Sequence, residues 1–103
     1  MSVQVYEVAD TGGVTASGYF SLNTVKISGA ILKHLFVDFE NTSSNFELKL
    51  VDNKDRNIIY LNSCNTVVNR SYDIPVKGIY TVIISNSTAD ANFKLRVAAQ
   101  DAY

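Results

Sequence analysis

Apolar and polar residues alternate with period two along most of this chain, the pattern of strands that bury one face. The stretch from Ile74 to Asn86 organises the rest. It holds the only proline, Pro75, then Gly78, then strand-forming residues from Ile79 to Ser85. Tyr80, Val82 and Ile84 fall on one face of that strand, and Ile79, Thr81 and Ile83 on the other. A strand apolar on both faces belongs inside a sheet, between neighbours.

The remaining segments read as strands that pack around it. Val3 to Val8 alternates and is closed by a turn at Asp10-Thr11-Gly12-Gly13. Ser17 to Ile27 follows, with Asn23-Thr24 as a possible break, and Ser28-Gly29 reads as the next turn. Ile31 to Glu40 sets Leu35, Val37 and Phe39 against His34, Phe36, Asp38 and Glu40. Helix is the rival reading for Ala30 to Leu35, but the alternation through Val37 to Glu40 favours a strand. After the polar loop Asn41 to Asn45, Phe46 to Val51 alternates apolar with charged residues, as a strand with one wet face does. Asp52-Asn53-Lys54-Asp55 reads as a hairpin turn, and Asn57 to Leu61 as the return strand. Asn62 to Asn65 turns again into an irregular strand, Thr66 to Ile74. A turn at Asn86 to Asp90 leads to Phe93-Lys94-Leu95-Arg96-Val97, and the tail Ala99 to Tyr103 is left open. Eight strands spaced about ten to twelve residues apart predict an all-β, eight-stranded antiparallel β-sandwich, jelly-roll-like, in one domain over 1–103.

Composition narrows the function classes. With 103 residues, 47% hydrophobic and 18% charged, the chain suffices for a single core. Nine basic and ten acidic residues are spread singly, so no basic stripe marks a nucleic-acid binder. No apolar run approaches the roughly 18–20 residues that span a bilayer as a helix. Met1 to Glu7 lacks the basic start and apolar stretch of a signal peptide, so the expectation is synthesis in a host cytoplasm without export. Accordingly, the Asn-x-Ser/Thr sequons at Asn41, Asn69 and Asn86 are read as chance. Cys64 is the only cysteine, which precludes an intrachain disulfide.

From about Gly18 to Val97 the chain resembles the bacterial pre-peptidase C-terminal domain. Phe46-Glu47-Leu48-Lys49-Leu50-Val51-Asp52 is similar to that family's Leu-x-Leu-Tyr-Asp strand and turn. Ile74 to Val82 resembles its Leu-Pro-Ala-Gly-Thr-Tyr-x-Val segment, and Phe93 to Val97 its closing Tyr-x-Leu-x-Val strand. The chain departs from the pattern at Asp55, where the family has a turn glycine, and at Asn45, where it has an acidic residue. The resemblance implies a small jelly-roll β-sandwich and allows a carbohydrate- or calcium-binding module.

Candidate chemistry is sparse. His34, Asp38 and Glu40 share a strand face and suggest a His-carboxylate metal site, against which stands an ordinary solvent-facing row. Asp52 to Asp55 has some likeness to a calcium loop, yet Asp and Asn are also preferred turn formers and Lys54 would crowd an ion. Cys64 has one histidine to pair with, and no Gly-x-Ser-x-Gly elbow exists for a serine. The six Tyr and five Phe raise a carbohydrate platform, but most fall at inward positions. The expectation is therefore no enzyme, no catalytic or metal residues and no cofactor.

Ile79, Ile83, Phe36 and Val51 oppose the inward sets on their own strands and would form an apolar patch if exposed together. They are the expected contact residues of a structural module that binds itself or a larger scaffold such as a capsid, without nucleic acid or membrane. A bacteriophage virion component, either a capsid decoration protein or a small tail or baseplate subunit, is the leading expectation.

Overall fold

The computed structural model describes residues 5–14, 18–39, 45–87 and 92–101, with side chains described from Gly18 to Gln100 within those ranges. Eight strands run in order: β1 Val5–Val14, β2 Phe20–Asn23, β3 Ile27–Asp38, β4 Asn45–Val51, β5 Asn57–Asn65, β6 Val67–Gly78, β7 Thr81–Ser85 and β8 Asn92–Asp101. They form two four-stranded antiparallel sheets, β1-β8-β3-β6 and β2-β7-β4-β5. Four nested ribbons generate this order: β1 pairs with β8, β2 with β7, β3 with β6 and β4 with β5. Folding that nested ribbon over itself gives the two sheets of a jelly roll. The all-β sandwich expected from the sequence is what forms.

Alternation settles the inner faces. Leu35, Val37 and Phe39 are fully buried on and just after β3, as are Leu48 and Leu50 on β4, Val82 and Ile84 on β7, and Leu95 and Val97 on β8. Phe39 stacks at a tilt on Phe46 with ring centroids 4.9 Å apart and on Phe93 at 5.7 Å, while Phe20 meets Phe93 edge-on at 4.7 Å. These rings tie the sheets together at one end of the sandwich. As the two-sided apolar pattern implied, β7 lies inside its sheet between β2 and β4.

Several expected turns are strand instead. Asp10 to Gly13 belongs to β1, because the ladder to β8 continues as far as Val14 opposite Asn92. Ser28-Gly29 lies within β3 at a register shift between Ile27 and Ala30, where Gly29 takes φ 135° without the penalty a Cβ would bring. A second shift, between Leu32 and His34, turns both Leu32 and Leu35 inward although they stand three apart. β5 runs on through Asn65, so the connection to β6 narrows to Thr66, whose φ is 57°. β6 continues past Ile74 to Gly78, carrying Pro75 on a sheet edge where its missing N–H breaks no ladder. β7 starts at Thr81, two residues later than the pattern suggested. The open tail joins β8 up to Asp101. Val3, Gln4, the loop residues 41–44, the turn residues 88–90, Ala102 and Tyr103 lie outside the described residues.

Candidate functional site

The four expected contact residues are not brought together. Phe36 lies on the outer face of the β1-β8-β3-β6 sheet, half-buried beside Asn69 of β6 and Arg96 of β8. Val51 and Ile83 lie on the opposite sheet, on β4 and β7. The core separates them from Phe36. Val51 is 8% exposed, paired with Thr81 at the end of its strand. Ile83 is half-buried between Ser21 and Lys49 on the neighbouring strands. Ile79, outside β7, is the one left open, at 46% exposure. The four-residue patch is therefore corrected to a single exposed isoleucine, since sheet membership is decided by long-range pairing that alternation cannot see.

Ile79 has an apolar companion that the strand pattern did not single out. Thr24 and Tyr80 exchange hydrogen bonds between the β2–β3 and β6–β7 connections: Thr24 N donates to Tyr80 O at 2.8 Å, and Tyr80 N donates to Thr24 Oγ1 at 3.1 Å. Their chain neighbours Val25 and Ile79 thus sit on adjoining connections at one end of the sandwich, and Val25 is 58% exposed. Between β3 and β6, a shallow depression of about 370 Å³ is lined by Gly29, Ala30, Ile31, Pro75, Val76, Lys77 and Tyr80. The available signal was an apolar residue inside each of two turn-like tripeptides, Thr24-Val25-Lys26 and Gly78-Ile79-Tyr80.

The outer face of the second sheet is polar. Tyr60 Oη donates to Glu47 Oε1 at 3.4 Å, Ser85 Oγ donates to Glu47 Oε2 at 3.3 Å, and Lys49 Nζ lies 5.3 Å from the centre of the Tyr60 ring. Desolvation, aided by the Glu47 carboxylate, pushes the Tyr60 phenol above its ordinary value. On the first sheet, His34 Nε2 is hydrogen-bonded to Asn69 Oδ1, Lys33 pairs with Asp73, and Asp38 stands opposite Lys94. Glu40 lies outside the described residues. Among the described residues, no group of three or more His, Cys, Asp and Glu is placed to share a metal ion.

The Asp52 turn is self-contained. Asp52 Oδ1 accepts from Lys54 N at 2.9 Å and Arg56 N at 3.0 Å, while Oδ2 accepts from Arg56 Nε at 2.8 Å. The backbone N–H of Arg56 leads the contacts that hold this carboxyl below its ordinary value. Both oxygens are engaged in closing the hairpin, with Asp55 in the left-handed region at φ 60° where a turn glycine would be at ease. Cys64 donates to Leu61 O at 3.6 Å, and burial pushes its thiol upward, away from the reactive thiolate.

No protein-family model matches the sequence. No curated protein matches it either. Among solved structures, chains of infectious bursal disease virus overlay on it at low similarity. The Gx strain chain is 8% identical with a TM-score of 0.40, and the Gt strain chain 9% identical with a TM-score of 0.41. Each overlay covers 96% of this chain but 31% and 32% of the viral chains, so this chain spans about a third of their length.

Proposed function

We propose that this protein is a non-enzymatic assembly module that docks through the Val25–Ile79 end of its jelly roll, as a structural component of a virion. The observation that carries the docking surface is the exposed apolar pair itself. Val25 and Ile79 are 58% and 46% exposed on two connections that the Thr24–Tyr80 hydrogen bonds join. Full burial of an aliphatic side chain is worth about 1.5–3 kcal/mol, so completing the burial of the two together would supply about 1.5–3 kcal/mol to a contact. The virion setting is a fold-level analogy: jelly rolls with two four-stranded sheets serve widely as viral coat domains, and also as lectins. Attachment to a bacteriophage capsid or tail as a decoration or baseplate subunit is the finer form of this reading.

The test substitutes Ile79→Asp and Val25→Asp, with Ile83→Lys as a comparison on the half-buried outer face. Mass by light scattering and occupancy on candidate phage particles are the readouts. Loss of association in the first two variants but not in the third supports the reading. A parent that stays monomeric at high concentration and binds no particle, or variants that associate unchanged, would remove it.

A further inference from the structure

On the outer face of the second sheet, where β4 is flanked by β5 and by the end of β7, lies a depression of about 140 Å³. It is lined by Asn45, Phe46, Glu47, Asn62, Ser63 and Asn86. Leu48 and Ile84 are paired and fully buried, so their neighbours Glu47 and Ser85, also paired, project outward together. The Glu47 carboxylate is held from both sides, by Tyr60 Oη donating to Oε1 at 3.4 Å and Ser85 Oγ donating to Oε2 at 3.3 Å. A carboxylate accepts about four hydrogen bonds, so each oxygen keeps room for a further donor. Amides from three segments surround it: Asn45 opens β4, Asn62 lies on β5, and Asn86 follows β7. Asn62 Oδ1 accepts from Ser63 Oγ at 3.5 Å, which leaves its amide nitrogen to donate. Backbone demands account for part of this set, since Ser63 and Asn86 both take φ 57°, where Asn is at ease in a turn. They do not account for Asn45, Asn62 and a half-buried Glu47 converging on the same depression.

We infer that this depression binds one ring of a neutral pyranose sugar. Glu47 accepts from adjacent hydroxyls of the ring, and the amides of Asn62 and Asn86 donate to others. Ligand charge follows from the same face: Glu47 repels an anion, and Lys49, two residues along β4 beside the Tyr60 ring, repels a cation. The volume lies below the roughly 300–1,000 Å³ of sites for drug-sized ligands, which suits a single sugar ring. Tyr60, 48% exposed and in contact with Glu47, adds apolar surface at the rim. This site stands independently of the assembly surface: β7 runs from Thr81, close to Ile79, to Ser85 beside the depression, so the two lie at opposite ends of the strand.

Backbone amide NMR shifts followed during titration with the methyl α-pyranosides of glucose, galactose and mannose test it. The expected result is saturable shifts from at least one of the three, at millimolar sugar, centred on Glu47, Asn62, Ser63 and Asn86. Glu47→Gln should weaken binding about tenfold, because hydrogen bonds to a charged acceptor become bonds to a neutral one. Asn62→Ala, at an exposed position, should weaken binding while the thermal midpoint stays at the parent's, which separates loss of the site from loss of the fold. Three sugars that leave the spectrum unmoved would overturn the site, as would undiminished binding by both variants. Tighter binding of glucuronate than of the neutral sugars would overturn the charge assignment. Saturable shifts at the same residues with calcium chloride but with none of the sugars would make the depression a cation site instead.

Discussion

Thr24 and Tyr80 clasp two connections at one end of the jelly roll through reciprocal hydrogen bonds of 2.8 and 3.1 Å. Thr24 is the buried polar side chain of the described core, and its hydroxyl also donates to Val25 O at 2.9 Å. Removing that hydroxyl leaves the Tyr80 N–H buried without its acceptor. Thr24→Val should therefore cost about 1–3 kcal/mol in chemical denaturation, and Thr24→Ser should recover most of it. Equal stability of the valine variant and the parent would show that the clasp contributes nothing.

Tyr80 is 8% exposed, and its phenol accepts a hydrogen bond from Lys77 N at 3.0 Å. The ring and the hydroxyl contribute separately. Tyr80→Phe should lose about 0.5–1.5 kcal/mol, the net worth of one hydrogen bond. Tyr80→Ala should lose about 3–5 kcal/mol as an aromatic deletion from a core. Urea unfolding of the pair separates the two effects, and similar losses in both would contradict the burial described.

Gly18 tolerates no side chain. It takes φ 81°, and a Cβ placed there would stand 2.5 Å from Ser87 O. Ser87 N also donates to Gly18 O at 3.2 Å, so the two backbones are held close. Gly18→Ala should destabilise by about 1–3 kcal/mol, through strain and displacement of Ser87. A thermal midpoint equal to the parent's would show that this close approach yields freely.

Asp52 couples the hairpin turn to pH. Its folded value lies below the ordinary 3.8, chiefly through the Arg56 backbone N–H. A depressed carboxyl contributes stability that is complete above its unfolded value and is lost as pH falls through the folded one. Asp52→Asn should thus be less stable than the parent at neutral pH, and the gap should narrow below pH 3.8. Thermal midpoints of both proteins across that interval give the answer, and a gap independent of pH would show that the carboxylate charge is idle.

The same engagement of Asp52 governs metal response. With both its oxygens held by Lys54 and Arg56, millimolar calcium should leave the thermal midpoint unchanged. A cation bound far above its dissociation constant would add several kcal/mol to native stability. A clear upward shift would restore 52–55 as a site.

Local alternation alone identified the inward residues Leu35, Val37, Phe39, Leu48, Leu50, Tyr80, Val82, Ile84, Phe93, Leu95 and Val97, all of which are buried. This part was legible because the side-chain period of a strand is a property of neighbouring residues, and one wrong parity would expose an entire face. The turn at Asp52 was legible for the same kind of reason, since Asp side chains close turns on their own backbone. What remained hidden depended on partners far away in the chain. Gly12-Gly13 looks like a turn but is strand, because β8 supplies a ladder to pair with. Phe36 and Ile83 look alike in sequence yet stand on opposite sheets, because β3 pairs with β6 and β8 while β7 pairs with β2 and β4. Val51 is covered at the end of its strand, and Ile79 is left open beside Val25, because the Thr24–Tyr80 clasp draws together residues 56 positions apart. Period two determines which side of a strand is apolar; only the ribbon's folding over itself decides what that side meets.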